Sequence, residues 1–356
     1  MSSNANPQFI DLVCEGGGVK GIGLAGAYSV LEDSGFVPKN VAGTSAGAIT
    51  AAAIATGYTA AELKELILTI DYHKFMDKGI EDRLPFLEKT VSILKDHGIY
   101  EGDYFLEFMR DLLKKKGVDT FGDLRAKPSE DGIPNEFDHT LQVIVSDVTE
   151  HRLLVLPRDS DALGIAPDEL EVALAVRMSM SIPIFFEPVL HKNPKNDNQH
   201  VLVDGGMLSN YPVWLFDCRG RDPRWPTFGL LLVEPKPKEN TIGDQLPPRK
   251  AKDGPLGIVP FLRSLADTMM AAHDRLYVES ADWARTIPIK TQGVGTTEFD
   301  LPKERAHALY ESGREAATEF LARWSFEGYL EEFRKGRAVA GRTEEIAERL
   351  KQAAPA

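Results

Sequence analysis

The chain has 356 residues, of which 43% are hydrophobic and 27% are charged, so its composition is that of a globular protein with room for a sizeable core. Its formal net charge of -13 argues against nucleic acid as a partner, because phosphate backbones attract basic surfaces. The two cysteines, Cys14 and Cys218, are too few for a disulfide framework and do not cluster with histidines as structural zinc ligands do. We therefore expect two reduced, buried thiols and no metal site.

The sequence predicts a cytoplasmic protein. The first residues lack the basic segment and the long apolar core of a secretory signal. The uncharged run at residues 41–58 is long enough to raise the question of a transmembrane helix, but it consists largely of alanine, glycine and threonine. Two glycines interrupt its first half, which favours a buried strand, turn and helix instead.

Two consecutive strand–loop–helix units open the chain. Residues 9–14 predict a β-strand and residues 21–32 a helix of small side chains. Residues 40–57 repeat the plan with a short strand, a tight turn and a second helix. Two such units in succession imply βαβ winding and a parallel sheet.

The rest of the chain predicts more helices and strands around that sheet. Residues from about 60 to 125 are mainly amphipathic and helical, which is typical of a helical cap or insertion. Residues 171–193 predict a helix broken at Pro183, and residues from about 234 to 257 a long loop rich in proline, lysine and glycine. Further strands are predicted at 141–148, 152–157, 200–206, 228–235 and 286–290, and further helices at 259–283, 302–328 and 343–352.

These elements predict a single α/β domain over residues 1–330. A central, mostly parallel β-sheet flanked by helices would give it three layers, and residues 331–356 would form a C-terminal helical tail.

The glycine loop "EGGGVKG" could cradle a dinucleotide, a phosphate or the oxyanion of a reaction intermediate. Gly16, Gly18 and Gly21 satisfy the spacing G-x-G-x-x-G between a strand and a helix. A dinucleotide site also needs an acidic residue at the end of the second strand, where this sequence has none. A P-loop needs Gly-Lys-Ser/Thr after the glycines, which is also missing. Nucleotide binding is therefore disfavoured.

The end of the second strand carries "GTSAG", the G-x-S-x-G pattern of a nucleophile elbow. Gly43 and Gly47 would allow close backbone approach on either side of Ser45. The Ser45 hydroxyl would then point outward at a helix N-terminus, where N–H groups favour developing negative charge. The same pattern also fits a tight buried turn, so the motif alone leaves both interpretations open.

A serine nucleophile needs a base, and the histidines offer a poor one. Ser45, Asp204 and His273 follow the chain order of the α/β-hydrolases, but an elbow after only the second strand fits that fold badly. Asp204 is a stronger candidate, because it ends an apolar strand just before Gly205 and Gly206 and would be a desolvated, exposed carboxylate on a tight turn. The alternative is an Asp-Gly turn without chemistry.

Four blocks in this order, "EGGGVKG", "GTSAG", "AVRMSMSIPIFFEPV" and "DGGMLSNYPV", resemble the patatin-like phospholipases, which are serine acyl hydrolases with a Ser-Asp dyad and no histidine. The resemblance extends from about residue 9 to about residue 233. It implies a patatin-like fold, Ser45 as the nucleophile, Asp204 as its base, and no cofactor or metal. It also implies an oxyanion hole formed by Gly16, Gly17, Gly18 and the amide of Val19.

Some residues around these motifs are expected to support the site. Glu15 stands where the family often has aspartate or a small residue, and Lys20 where arginine is frequent, so we expect changes in loop rigidity or in headgroup contact. Arg177 fits a structural salt bridge better than a contact with a lipid phosphate. The supporting motif residues are Lys20, Gly21, Gly43, Gly47, Arg177, Gly205 and Gly206.

The resemblance implies hydrolysis of carboxylic esters in glycerolipids, of the phospholipase A or lysophospholipase type. The implied partner is a phospholipid or another acyl lipid, reached through peripheral contact with a membrane. Two alternatives stay open: a lipid-binding or regulatory module with a silent site, and a carboxylesterase for non-lipid substrates. Nothing in the sequence indicates an oligomeric state.

Overall fold

A computed structural model describes residues 8–69, 101–127, 135–183, 185–218, 221–234, 280–296, 298 and 300–335. These residues form an eight-stranded sheet with packed layers on both faces. The strands are Gln8–Cys14 (β1), Phe36–Thr44 (β2), Leu141–Asp147 (β3), Arg152–Leu156 (β4), Val189–Lys192 (β5), Gln199–Asp204 (β6), Thr227–Val233 (β7) and Thr286–Lys290 (β8). The α-helices are Ile22–Asp33 (α1), Ala46–Ala55 (α2), Ala60–Thr69 (α3), Glu101–Lys114 (α4), Val172–Ser179 (α5), Ser280–Ala284 (α6), Lys303–Leu321 (α7) and Phe326–Tyr329 (α8).

The sheet is mixed but mostly parallel, as predicted. Its strand order is β5-β6-β3-β2-β1-β7-β8, and β4 pairs with β3 outside this path. Neighbouring strands from β3 through β2, β1 and β7 to β8 are parallel. Of the eight strands in the described part of the chain, only β4 and β6 run against the others. The two opening βα units therefore wind a parallel sheet, and the reversed strands lie at one side of it.

Both faces of the central strands are buried, which explains their continuous apolar runs. Leu12 of β1 belongs to the larger apolar cluster, and its neighbour Val13 belongs to the smaller one on the opposite face. Helices α1 to α5 and α7 contribute to the larger cluster. The smaller cluster is covered by the segment that contains the short 3-10 helix Val213–Phe216. This arrangement is the predicted three-layer α/β architecture.

Helix α1 packs on α7 at a distance that only small residues permit. A Cβ atom on Gly26 would overlap the backbone carbonyl of Tyr310, and one on Gly313 would overlap the carbonyl of Gly23. The small-residue composition of α1, visible in the sequence, is therefore a requirement of this helix–helix contact.

Two predicted helices differ from the structure. Helix α5 ends at Ser179, before Pro183, and the chain then forms the strand β5, which the sequence placed in a broken helix. Pro188 has no N–H to donate within a helix, while β5 gains its hydrogen bonds by pairing with β6. The predicted helix at 302–328 is divided into α7 and α8, because the Ser325 side chain accepts the Gly328 N–H and starts a new helix.

Several predictions lie partly outside the described residues: the cap between 70 and 100, the loop from 235 onward, most of the helix at 259–283, and the tail from 336. The described helices of the predicted cap, α3 and α4, insert Leu63, Met109 and Leu113 into the larger core cluster. The run at 41–58 forms the end of β2, a turn and α2, as expected. No helix within the described ranges has the length and apolar character needed to cross a membrane.

Replacing Gly26 by alanine tests the close contact between α1 and α7. Alanine favours a helix by about 1 kcal/mol over glycine. Here its methyl group would overlap the Tyr310 carbonyl, so we expect a net loss of about 1–3 kcal/mol in the free energy of unfolding, measured in urea. Gly295→Ala is the control, since a Cβ there meets no atom closer than ordinary van der Waals contact. Equal stability of the two variants would contradict the packing argument.

Candidate active site

The site lies at one edge of β3, where two strands end against each other. β4 occupies the opposite edge of β3. On the shared edge β2 runs parallel and ends with Thr44 opposite Ile144, while β6 runs antiparallel and ends with Asp204 opposite Val145. The carboxyl ends of β2 and β6 therefore meet at consecutive residues of β3. Because Ser45 directly follows β2, this register brings Ser45 and Asp204 together.

The turn between β2 and α2 has the geometry of a nucleophile elbow. Ser45 has φ 55° and ψ -131°, a backbone conformation that side-chain-bearing residues rarely adopt. A Cβ atom on Gly43 would overlap the carbonyl of Gly47, and one on Gly47 would overlap the carbonyl of Cys14. The two glycines of "GTSAG" are therefore required by close backbone contacts on both sides of the serine.

Ser45 is buried and has contacts with the end of α5. Its N–H donates to Oγ of Ser179 at 2.9 Å, and its Oγ lies 3.7 Å from Sδ of Met180. Ser45 lies at a helix N-terminus, as expected, but it is 0% exposed, so the expectation that its hydroxyl points outward is wrong. The reason is that the residues following α5 pack over the turn.

Asp204 is also fully buried, so the expected exposure of its carboxylate is wrong while the expected desolvation is confirmed. Burial raises the pKa of Asp204 to about 7, against smaller lowering effects of the Ser45 hydroxyl and the Gly206 N–H. Oδ1 accepts the Gly206 N–H at 2.7 Å. Oδ2 has no hydrogen bond of standard geometry within the described residues. One carboxylate oxygen is therefore fixed and the other is available beside Ser45.

The glycine loop lies against Ser45, and two of its amides are already occupied. The Gly16 N–H donates to the carbonyl of Asn210 at 3.1 Å, and the Val19 N–H donates to the carbonyl of Thr296 at 3.2 Å. The described part of the chain offers no acceptor to the amides of Gly17 and Gly18. Gly18 has φ 56°, a conformation that favours glycine.

Hydrogen bonds of Asn210 and Glu15 hold this loop in place. Asn210 is 7% exposed, and its Nδ2 donates to the Gly16 carbonyl at 2.9 Å and to Oε1 of Glu15 at 3.3 Å. The Glu15 carboxylate also accepts the N–H of Leu232 at the end of β7. Sequence reasoning missed Asn210, although it lies in the block "DGGMLSNYPV". Its role depends on hydrogen bonds to residues far away in the chain, which no local pattern displays.

The other predicted support residues have structural contacts. Lys20 pairs with Glu234 at 2.8 Å, and Gly21 is the residue before α1. A Cβ atom on Gly205 would overlap the carbonyl of Ile144. His273, the alternative base, lies outside the described residues.

Arg177 contacts the protein interior. It is 6% exposed, and its guanidinium donates to Oγ of Ser181 at 2.6 Å and to the carbonyls of Gly102 and Glu187 at 3.2 and 3.0 Å. These contacts support a structural role rather than a contact with a lipid phosphate.

Two further groups of residues bear on cofactor and redox chemistry. The cysteines Cys14 and Cys218 are free and buried, as expected. Among the described residues, no cluster of three or more histidine, cysteine, aspartate and glutamate side chains could hold a metal ion.

Comparison with known proteins gives one family and several relatives. The model of the family described as patatin-like phospholipase matches residues 12–217. The uncharacterized protein YqhO of Bacillus subtilis (strain 168) is 39% identical over 319 residues, which are 90% of this chain and 100% of that protein. The uncharacterized protein R571 of Acanthamoeba polyphaga mimivirus is 23% identical over 311 residues, 86% of this chain and 91% of that protein.

The solved structures give a likeness of fold. The crystal structure of VipD from Legionella pneumophila aligns with a TM-score of 0.50 and 20% sequence identity, and the alignment covers 89% of this chain and 67% of that one. At this level of identity the match describes the architecture alone.

The raised pKa of Asp204 predicts that Asp204→Asn stabilises the protein at alkaline pH. Below about pH 4 the carboxyl is protonated in both the folded and the unfolded chain. Between about pH 4 and 7 only the unfolded chain releases the proton, so stability falls until pH exceeds the folded pKa of about 7. Asparagine removes this penalty, and we expect a gain on the order of a few kcal/mol at pH 8 that shrinks toward pH 4.5.

Urea unfolding at pH 4.5, 6 and 8 measures this difference. Asp161→Asn, whose side chain is 71% exposed in the parent protein, is the control for removal of a surface charge. An Asp204→Asn protein that is no more stable than the parent at pH 8 would contradict the assigned cause of the pKa shift.

Proposed function

Since this chain belongs to the patatin-like phospholipase family, we propose that it cleaves carboxylic ester bonds of glycerolipids through a serine acyl-enzyme. The family supports lipid hydrolysis in general. The observation that carries the specific proposal is the meeting of two strand ends on the β3 edge, where Thr44, directly before Ser45, lies opposite Ile144 and Asp204 lies opposite Val145. Phospholipase A and lysophospholipase activities are the proposed types, and a phospholipid or another acyl lipid is the proposed substrate.

In the first half of the reaction Ser45 is the nucleophile and Asp204 the base. Oγ of Ser45 bonds to the ester carbonyl carbon while its proton moves to Oδ2 of Asp204. The carbonyl π electrons move to oxygen, which gives a tetrahedral intermediate. Collapse of this intermediate expels the alcohol, which takes the proton from Asp204. A base whose pKa is about 7 is well matched to proton transfer near neutral pH.

In the second half water replaces the alcohol. The water oxygen bonds to the acyl carbon while Asp204 accepts a proton from the water. The Ser45 oxygen then leaves the acyl carbon and takes that proton from Asp204. The products are a free fatty acid and the original enzyme. The dyad accounts for every proton, so the proposal requires no metal or cofactor.

The amides of Gly17 and Gly18 are the proposed oxyanion donors. They have no acceptor among the described residues, whereas the amides of Gly16 and Val19, also expected from the sequence, already bind carbonyls. Buried donors fixed before the reaction stabilise the developing charge, and loss of one typically costs about 3 kcal/mol of transition-state stabilisation. The N-terminus of α2, directly after Ser45, adds favourable backbone dipoles.

The alternative of a binding module with a silent site is less well supported. Ser45 has a positive φ and Asp204 is a fully buried carboxylate, and both features cost stability without contributing to the core. A module that only binds lipid has no need of either. Cytoplasmic location and peripheral membrane contact remain predictions.

Replacement of either dyad residue is expected to abolish turnover. We expect Ser45→Ala and Asp204→Asn each to lower fatty acid release at least about 10³-fold, because nucleophile and base act as a unit. Mass spectrometry of fatty acids released from phospholipid, lysophospholipid and acylglycerol micelles, with a short-chain water-soluble ester alongside, measures activity and preference. Asp161→Asn is the control. Undiminished lipid hydrolysis by a folded Ser45→Ala protein would refute the assignment, and cleavage of the soluble ester alone would favour a carboxylesterase.

The pH dependence of kcat/KM should report the ionisation of Asp204. Only the carboxylate accepts the serine proton, so activity is present above the folded pKa of about 7 and is lost as pH falls through it. We expect a rise from pH 5 to a plateau above about pH 8, measured on a soluble ester with folding followed by circular dichroism. A profile that is flat down to pH 5 would exclude Asp204 as the base.

A further inference from the structure

Three consecutive residues, the last of α5 and the two that follow it, contact the proposed dyad: two contact Ser45 and one contacts Asp204. Ser179 Oγ accepts the Ser45 N–H at 2.9 Å, and Sδ of Met180 lies 3.7 Å from Oγ of Ser45. The carbonyl of Ser181 accepts the Asp204 N–H at 2.9 Å. The end of this helix therefore fixes the two strand ends relative to each other.

The Ser179 hydroxyl links the elbow to β3. It accepts the Ser45 N–H and donates to the carbonyl of Ile144 at 2.7 Å, and Ser179 is 0% exposed. Ile144 pairs with Thr44, the last residue of β2. The same carbonyl lies against Gly205, directly after Asp204. A single buried hydroxyl thus connects the backbone of the nucleophile to the point on β3 where the two strand ends meet.

We propose that Ser179 is a positioning residue for acyl transfer, which holds the Ser45 backbone in the conformation that directs its hydroxyl toward Asp204. This inference rests on the proposed function. Ser45 has φ 55°, and such a conformation persists only where surrounding contacts enforce it. Ser179 supplies the hydrogen bond to the amide of that residue. Without it the turn relaxes, and a displacement of about 1 Å between reacting groups can lower the rate about 10²-fold.

The chain contains a matched control two residues further on. Ser181 is also 0% exposed, and its hydroxyl also forms two hydrogen bonds. It accepts one from Nη1 of Arg177 at 2.6 Å and donates one to the Arg177 carbonyl at 3.0 Å. These bonds do not include Ser45 or Asp204. Alanine at 181 retains the carbonyl that accepts the Asp204 N–H. Ser179→Ala and Ser181→Ala therefore each remove one buried hydroxyl from the same segment, but only the first loses a contact with the nucleophile.

The experiment compares the two variants by labelling with a fluorophosphonate, by kcat and KM on a soluble ester, and by urea unfolding. Both variants should lose stability. We expect Ser179→Ala to lower kcat and the labelling rate about 10-fold to 100-fold with KM changed less than about 2-fold, because the contact affects orientation and not binding. Ser181→Ala should keep both rates within about 3-fold of the parent.

Equal labelling rates in the two variants would overturn the positioning role. If Ser179→Ala does not fold, Ser179→Cys against Ser181→Cys gives the same comparison, because a thiol is a much weaker hydrogen-bonding group. Failure of the parent protein to react with the fluorophosphonate and to release any fatty acid would refute the proposed function itself, and with it this inference. A labelled parent with no difference between the variants refutes the inference alone.

Discussion

The edge of β3 on which β2 and β6 end is the constraint that the rest of the site depends on. Parallel pairing places the end of β2 at Ile144, and antiparallel pairing places the end of β6 at Val145. Backbone hydrogen bonds, and not the side chains of Ser45 and Asp204, therefore determine that these two residues are neighbours. A strand register is difficult to shift when both faces are buried, because a slip of one residue would move apolar side chains to the wrong face.

The site concentrates features that oppose folding. A buried carboxylate, a serine with positive φ and several backbone contacts that exclude a Cβ atom lie close together in space, where β2 and β6 end on β3. Each costs free energy that a stability-optimised turn would avoid. Favourable contacts around the site offset that cost. They come from the apolar clusters, from the hydrogen bond between Glu15 and Asn210 next to the glycine loop, and from the hydrogen bonds of Arg177. A rigid core around a strained centre is the arrangement expected of preorganised acyl-transfer sites.

Local chemistry made part of this structure predictable from the sequence. The glycines of "GTSAG" and the apolar run before Asp204 mark a tight turn and a strand end, and both were located correctly because such signals act over a few residues. The strand β5 was missed because its four residues are too short for an alternating pattern and owe their conformation to pairing with β6. The fold class was easier to predict than individual short elements, since two βα units in succession already require a parallel sheet.

The contacts that complete the site were beyond sequence reasoning. The burial of Ser45 depends on the end of α5, and the occupied amides of Gly16 and Val19 depend on Asn210 and Thr296, which are distant in the chain. The hydroxyls of Ser179 and Ser181 look equivalent in "RMSMSIP", yet one contacts the elbow and the other contacts Arg177. Only the three-dimensional register distinguishes them.

Because the site forms where two strand ends meet on β3, the order of synthesis determines when the site can be completed. The elbow and the glycine loop leave the ribosome before β6, which follows β3, α5 and β5 in the chain. A nascent or truncated chain that stops before Asp204 therefore holds the proposed nucleophile without its base. By the proposed mechanism, Ser45 acquires its base only when Asp204 has been synthesised and β6 has paired with β3.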